Sequence, residues 1–424
     1  MPADPIQQLL AGTYPDPDTG ELLACEARSI AIEDSLVGRE VELVEALDIG
    51  DQVAILGDVD TFPVLGERVA KALSERFGVQ RIVLDRHPQC DRPTAAVIEQ
   101  RLAPNTTAII AVGSGTLNDL SKLVAVTRDI PQLVFATAPS MNGFTSLSAS
   151  IHEDGAKRSV RVRTPVAAFF DLEVLAAAPP RMIRAGLGDS ICRPTAQADW
   201  LLAHLLLDRP YREVPFALLV DDERTLFASA AGLVNRDLAA VRALVRTLVL
   251  SGFGMTLCGG SYPASQGEHL ISHYLEMMRP VTVIEAFHGE QVGVAALAMA
   301  RLQTTVLART TTPQLRPIGI TLKSVLDHFG PERGAAVWDD VSAKQVDIPS
   351  ANARLASDWP AMRARLATIV QPPERLAAVL AAAGAPTTPA ALGYPDALFG
   401  EAFAHARELR DRYTFLDFAA DLIP

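Results

Sequence analysis

Three histidines that could serve one chemical site lie within twenty residues of each other. His269 and His273 are four positions apart, so a helix would place both on one face, about 6 Å apart. His288 stands in the segment FHGEQVG, at the start of an alanine-rich run that is typical of a helix. Asp189, in GLGDSI, is the best acidic partner upstream. Two histidines and one carboxylate, with coordination positions left open, are typical of a catalytic metal site. Because the chain has no short signature such as HExxH, helix capping or core packing by these histidines stays an open alternative.

A glycine-containing turn at Gly113–Thr116 separates a predicted buried strand from a predicted helix. Glycines let backbone N–H groups approach a phosphate closely, and the start of a helix favours its negative charge. The turn lacks the Gly-Lys-Ser/Thr of a Walker A loop, and Asn118 replaces the last glycine of GxGxxG, so a plain turn is the alternative. A second polar strand end, Thr137–Ser146, favours phosphate binding over a plain turn. Two adjacent parallel strands that both end in small polar residues form a cleft suited to a dinucleotide.

These residues would be positioned by strands and helices that alternate in the first part of the chain. Strands are predicted at 52–58, 81–86, 107–113 and 132–140, helices at 62–78, 94–104 and 117–129, and a peripheral strand in SIAIEDSLV. This order predicts a parallel sheet that binds ligands at the carboxyl ends of its strands. Beyond about residue 178 the pattern becomes helical. We therefore expect an α/β dinucleotide-binding domain over residues 1–178 and a helical domain over 179–424.

The composition excludes several classes of protein. The 424 residues, 49% of them hydrophobic, are enough for two domains with a sizeable core. A net charge of −12 without a basic run argues against nucleic-acid binding. The four cysteines are scattered without CxxC spacing, which favours reduced thiols in the cytoplasm. The amino terminus does not resemble a signal peptide, and the long uncharged stretch Thr247–Gly267 is broken by glycines, so we expect a cytoplasmic protein without a membrane partner.

Five motifs follow one another along the chain: VGSGTLNDLSK, TAPSMNGFTS, GLGD, PASQGEHLISH and FHGEQVG. In this order they resemble the motifs of the bacterial type of sn-glycerol-1-phosphate dehydrogenase. That family belongs to the iron-containing alcohol dehydrogenase and dehydroquinate synthase-like superfamily. The segment LRDRYTFLDFAADL is also similar to the carboxyl-terminal end of the family, so the resemblance covers nearly the whole chain.

The resemblance implies a Rossmann-like parallel-sheet domain followed by an all-helical metal- and substrate-binding domain, with the active site in the cleft between them. The activity it implies is reversible hydride transfer between NAD or NADP and the pair glycerol-1-phosphate and dihydroxyacetone phosphate, as part of phospholipid metabolism. It also implies one divalent metal ion (zinc, with nickel or iron as alternatives) and a homo-oligomer, a dimer or larger. The implied metal ligands are Asp189, His269 and His288; the implied cofactor contacts are Gly113, Ser114, Gly115, Thr116, Leu117, Thr137, Ser140 and Ser146; and the implied catalytic and substrate-binding residues are Asp189, His273 and Asn142.

Asn142 departs from the family pattern, which has aspartate in the motif S-M-D-G. An amide has a similar shape but carries no charge and cannot act as a base. The substrate therefore differs from that of the family, or His273 and water transfer the proton, or the activity is reduced. Lys157, in EDGAKRS, resembles a family lysine that could contact a substrate phosphate, although a solvated turn lysine is an equal alternative.

Three other functions stay open. One is a dehydroquinate synthase-like cyclase that also uses NAD and a metal, although such relatives carry more lysine and arginine near their motifs than this chain does. Another is a polyol or other alcohol dehydrogenase of the superfamily. The third is a non-catalytic NAD-binding or regulatory protein, which Asn142 suggests and a complete set of metal ligands argues against, because buried polar groups without a use are costly.

Overall fold

A computed structural model of the protein describes residues 4–153, 156–344 and 346–423. They form two compact units, each with its own hydrophobic core. The first unit contains the described residues up to 153, then 157–190 and 213–261. The second contains residue 156, 191–212 and the described residues from 262 onward. Neither unit is therefore one continuous stretch of chain, and the domain boundary expected near residue 178 stays a prediction.

A parallel sheet of six strands forms the centre of the first unit, as the alternating pattern predicts. The strands, numbered along the chain, are β1 Tyr14–Pro15, β2 Leu22–Leu23, β3 Ser29–Glu33, β4 Gln52–Asp58, β5 Gly78–Leu84, β6 Ala108–Gly113, β7 Gln132–Ala136, β8 Ser148–Glu153, β9 Ala156–Arg161 and β10 Ala167–Asp171. The order across the sheet is β3-β10-β7-β6-β4-β5, and every pair is parallel. The segment SIAIEDSLV indeed supplies an edge strand, β3. Strand β10 was not predicted; it runs directly into helix α6, so no turn residues separate the two elements in the sequence.

The helices of both units are mostly short. They are α1 Pro5–Ala11, α2 Glu40–Glu45, α3 Glu67–Leu73, α4 Arg92–Arg101, α5 Gly115–Arg128, α6 Leu172–Ala177, α7 Pro180–Ile191, α8 Arg193–Leu207, α9 Val214–Ala217, α10 Val220–Ser229, α11 Leu238–Leu257, α12 Gly267–Met278, α13 His288–Leu307, α14 Leu322–Phe329, α15 Pro331–Ser342, α16 Ile348–Ala367, α17 Pro373–Ala382, α18 Asp396–His405 and α19 Phe415–Asp421. The helix predicted at 62–78 begins instead as a π-helical turn, Phe62–Gly66, and continues as α3 only to Leu73. At its start, Pro63 lacks the N–H group that a regular α-helix would use for hydrogen bonding. At its end, Gly78 already belongs to β5.

The chain after residue 178 is helical, as expected. In the part of it that the structure describes, the only β-type contact is a single bridge between Leu315 and Leu422. The core of the second unit is built from helices α8, α12, α13 and α16 and the aromatic residues of α19.

Helix α11 is the one described helix that is long and apolar enough to cross a membrane. Its most apolar stretch is 72% buried, and it packs on other elements of the first unit, such as α9, α10 and α6. It is therefore a core helix of the first unit. Thr145 ties it to the segment after β7, since the Thr145 hydroxyl donates to the carbonyl of Val249 and the Thr256 hydroxyl donates to that of Thr145.

Candidate functional site

The two polar strand ends singled out in the sequence lie side by side at the carboxyl edge of the sheet. Strands β6 and β7 pair up to Gly113 and Ala136, and the N–H of Thr137 donates to the carbonyl of Gly113 at 3.0 Å. The hydroxyls of Ser114 and Ser140 form a hydrogen bond that links the two ends directly. Among the described residues, no side chain caps the start of helix α5 at Ser114, so its first N–H groups stay available to an acceptor.

Two glycines of this turn differ in what surrounds them. A Cβ atom on Gly113 would lie 2.4 Å from the side chain of Leu117, so packing itself requires glycine there. A Cβ atom on Gly115 would meet only Met141, at the ordinary distance of 3.5 Å. The protein therefore tolerates a small side chain at position 115, and a loss of binding on that change would report on a ligand.

Lys122 holds the segment after β7 in place, a role that sequence reasoning missed. Its fully buried Nζ donates to the carbonyls of Gly143, Ser146 and Ser148 at 2.6, 3.0 and 3.1 Å. Burial lowers the pKa of Lys122 to about 8, and the neighbouring carboxyl of Asp119 opposes that shift. The only sequence signal was the pair of charged residues, Asp119 and Lys122, at helical spacing within LNDLSK, where the apolar residues predict a buried helix face.

Asp189 is fixed by the same segment. Its Oδ2 atom accepts a hydrogen bond from the backbone N–H of Asn142 at 2.8 Å, and it is almost fully buried. One turn earlier on α7, Gly186 lies against the chain, since a Cβ there would be 1.8 Å from the carbonyl oxygen of Pro139. The motif GLGD thus brings α7 close enough for Asp189 to meet residue 142. The contribution of Asn142 to this contact is its backbone, which an aspartate would supply equally.

The three histidines of the opening motif come together in the second unit. His269 and His273 lie on α12, and His288 is the first residue of α13. The ring centroids of His269 and His288 are 5.2 Å apart, and those of His273 and His288 are 5.6 Å apart. Potential ligand atoms of His269 and His288 lie within 4.8 Å of each other. One ion could therefore contact both rings.

Each of these histidines has a carboxylate beside its Nδ1 atom. Glu268 Oε1 lies 2.9 Å from Nδ1 of His269, and Glu276 Oε1 lies 3.0 Å from Nδ1 of His288. The other oxygen of Glu276 is 3.5 Å from Nδ1 of His273. Carboxylates in this position are common behind metal-binding histidines, where they orient the ring. Neither glutamate was a candidate from the sequence, because glutamate is common in helices.

This donor set fits a divalent transition metal. Imidazole nitrogens and carboxylate oxygens are ligands that zinc and iron sites use. His269 and the neighbouring Glu268 are buried. Within the second unit a different group, Cys192, Glu268 and His269, also places its ligand atoms within 4.8 Å of one another. The two groups share His269, so only one of them can use it at a time.

Lys157 lies in strand β9 rather than in a turn. Its charge acts on two buried groups, since it lowers the pKa of Asp119 and of Cys90 against the larger effect of burial, which raises both. Residues 154 and 155 of the same segment, EDGAKRS, lie outside the described residues. Contact of Lys157 with a phosphate stays a prediction.

Comparison with known proteins gives a consistent result. Residues 31–179 match the iron-containing alcohol dehydrogenase family. The chain is 30% identical to a glycerol-1-phosphate dehydrogenase [NAD(P)+] of Geobacillus stearothermophilus, over 93% of this chain and 94% of that protein. It is 32% identical to the enzyme of the same name from Thermococcus sibiricus, over 65% of this chain and 77% of that one. Among solved structures, the NADH-dependent butanol dehydrogenase A of Thermotoga maritima has the same fold, with a TM-score of 0.59 and 14% identity over 92% of this chain and 91% of that one.

Proposed function

We propose, from the premise that the chain belongs to the iron-containing alcohol dehydrogenase family, that it transfers hydride between NAD(P)H and dihydroxyacetone phosphate to form sn-glycerol-1-phosphate. The observation that carries the proposal is the similarity to glycerol-1-phosphate dehydrogenase over 93% of the chain, which includes all five motifs. The chain is thus an enzyme of this family that resembles its glycerol-1-phosphate dehydrogenases. The substrate pair is the part that needs a test.

The dinucleotide is proposed to lie at the carboxyl edge of β6 and β7. The linked strand ends and the uncapped start of α5 support this, because backbone N–H groups there can meet a pyrophosphate. The contacts are proposed for Gly113–Leu117, Thr137, Ser140 and Ser146. Gly115→Ala, which the packing tolerates, is expected to weaken NADH binding without a change in the midpoint of urea unfolding. Calorimetry that finds equal affinity for NADH in both proteins would move the cofactor elsewhere.

The metal ion is proposed to be held by His269 and His288, with Asp189 as the third ligand that the family resemblance implies. When bound, a divalent ion would supply Lewis-acid polarisation of the substrate oxygen. The protein contributes the fixed orientation of the ligands: Asn142 N–H holds the Asp189 carboxylate, and Glu268 and Glu276 hold the two imidazoles. Loss of bound metal in His288→Ala, measured by elemental analysis, tests this ligand, and Cys192→Ala tests the competing group.

His273 is proposed to donate a hydrogen bond to a substrate hydroxyl or to move a proton. The centroid of its ring lies 5.6 Å from that of His288, the proposed metal ligand, which supports this role. Neutral imidazole can both donate and accept a proton near neutral pH, which suits either role. The side chain of Asn142 can only hydrogen-bond a substrate hydroxyl.

Steady-state turnover against a panel of substrates tests the function. We expect NADH- or NADPH-dependent reduction of dihydroxyacetone phosphate, and oxidation of glycerol-1-phosphate in preference to its enantiomer glycerol-3-phosphate. Preference for unphosphorylated dihydroxyacetone or glycerol would favour a polyol dehydrogenase instead. Cofactor binding without turnover of any member of the panel would contradict the proposal, and a cyclase of the same superfamily would then be tested.

A further inference from the structure

The imidazole of His288 is held by two oxygen atoms at one of its nitrogens. Ser272 Oγ lies 3.1 Å and Glu276 Oε1 lies 3.0 Å from Nδ1 of His288. Geometry alone does not say whether Nδ1 carries a proton, because a serine hydroxyl can either donate or accept. The answer decides which nitrogen can bind a metal, since only the nitrogen without a proton has a free lone pair.

Which of these atoms donates follows from a chain of contacts that runs from His288 through Ser272 and Gln291 to the backbone carbonyl of Ala286. The carbonyl of Ala286 can only accept, so the atom of Gln291 that lies 3.0 Å from it must be the amide nitrogen, Nε2. The same nitrogen lies 2.9 Å from the hydroxyl of Tyr394, which also accepts the N–H of Ala286 at 3.1 Å. The amide oxygen of Gln291 therefore faces Ser272, at 2.9 Å from its Oγ.

Ser272 has one proton, and the amide oxygen of Gln291 requires it. The serine oxygen is then left to accept from His288, and an ionised Glu276 can also only accept. Both partners of Nδ1 are acceptors, so Nδ1 must be the protonated nitrogen. Gln291 and Ser272 are fully buried, so little water can reach them to exchange the donor and acceptor roles.

We propose that Gln291, Ser272 and Glu276 are positioning residues that hold His288 in the Nδ1–H tautomer and so present its Nε2 atom to the metal. The metal part rests on the proposed function, whereas the tautomer does not. Second-sphere partners of this kind typically change metal affinity by about 10- to 100-fold when they are removed. None of the three residues was a candidate from the sequence.

Nitrogen-15 NMR of labelled histidine in the full-length protein tests the inference. Rings with Nδ1–H and with Nε2–H give different correlation patterns, and H288Q identifies the signal of His288 among the eight histidines. The spectra are recorded about 2 pH units above the ordinary histidine pKa of about 6.5, first as purified and then after treatment with a chelator. We expect Nδ1–H in the chelated wild type, and a shift toward Nε2–H in the double variant S272A/E276A.

Zinc affinity, measured by competition with a chromophoric chelator, gives the second readout. S272A and E276A should each bind Zn²⁺ about 10- to 100-fold more weakly than wild type. The matched control is S121A, which removes another fully buried helix serine; its oxygen accepts from the amide nitrogen of Gln132 at 3.0 Å. S121A should lose stability to a similar degree and keep the zinc affinity of wild type. If S272A does not fold, E276A alone carries the test, because its side chain is 11% exposed.

Four results are decisive. Nε2–H at His288 in the metal-free wild type would overturn the inference, as would wild-type zinc affinity in both S272A and E276A. Nδ1–H together with weakened zinc binding in the variants supports it. Nδ1–H in a wild-type protein that binds no Zn²⁺ supports the positioning by Gln291 and Ser272, and it refutes the metal site of the proposed function instead.

Discussion

Replacing Gly186 with alanine should be severely destabilising, for a reason that lies in one contact. The added Cβ would be 1.8 Å from the carbonyl oxygen of Pro139, and Cβ atoms essentially never approach another atom to less than 3.0 Å. One of the two backbones must therefore move by more than about 1 Å, because no flexible side chain is available to yield. Overpacking of this kind usually costs about 1–3 kcal/mol, and a clash with backbone belongs at or above the upper end.

The same displacement should reach Asp189, which lies one turn further along α7. Moving the helix away from residues 139–142 would break the hydrogen bond of 2.8 Å from Asn142 N–H to the buried Asp189 carboxylate. Loss of a hydrogen bond to a buried carboxylate costs about a further 1–3 kcal/mol. We therefore expect a total loss of about 3 kcal/mol or more in the free energy of unfolding, together with weaker metal binding.

Urea unfolding followed by circular dichroism measures the loss. Gly400→Ala is the matched control, because Gly400 also lies within a helix, α18, but a Cβ there would have no atom within 4 Å. That control should gain up to about 1 kcal/mol, since alanine is the better helix former. A Gly186→Ala protein with the urea midpoint and metal content of wild type would refute the reasoning from this contact.

Three further predictions concern other parts of the molecule. Lys122→Met should remove one donor from each of three carbonyls, of which those of Gly143 and Ser148 keep a hydrogen bond from Ser146, and should cost about 1–3 kcal/mol in urea unfolding, whereas Lys323→Met, at an 85% exposed side chain, should cost almost nothing. Asn142→Asp should keep its backbone bond and NADH affinity and raise dihydroxyacetone phosphate reduction by about tenfold or more in steady-state kinetics; a slower variant beside an active wild type would leave His273 as the proton carrier. Burial and the stacked ring of His405 lower the pKa of His328. The histidine therefore binds a proton more tightly in the unfolded chain, and the free energy of unfolding should fall as the pH drops below about 6.5. Urea titrations across this range should show a smaller fall in His328→Asn, and an equal pH dependence in the two proteins would contradict the assignment.

Patterns over a few neighbouring residues predicted the elements of the fold that depend on neighbours in the chain. Strand β4 has the predicted bounds, and the order of strands and helices was enough to predict a parallel sheet, because each buried strand is flanked by an amphipathic helix. Strand β10 is followed directly by the apolar helix α6, so no turn residue and no change in the hydrophobic pattern marks the end of the strand. The strand predicted to 140 ends at Ala136, because the residues that follow turn to meet α7 and α11.

The candidate site shows the same division. The spacing of His269 and His273 on one helix is a local property, and it predicted their neighbourhood. The bond from Asn142 to Asp189 and the amide of Gln291 behind Ser272 join residues that are distant in the chain, and a sequence without structure does not reveal such pairs. The reason for glycine at position 186 likewise lies in a contact with residue 139.

The division of the chain between the two units has a consequence for how the protein is made. The sheet of the first unit is complete at Asp171, but helix α11, which belongs to the same unit, is synthesised only after α8 of the second unit. At about 5–20 residues per second, a ribosome delivers that helix several seconds after the last strand. During this interval the nascent chain carries the surface that α11 will cover, including the segment around Thr145. Slowing of translation between residues 171 and 238 should therefore increase chaperone binding and aggregation of this protein, whereas slowing after residue 261 should affect the first unit little.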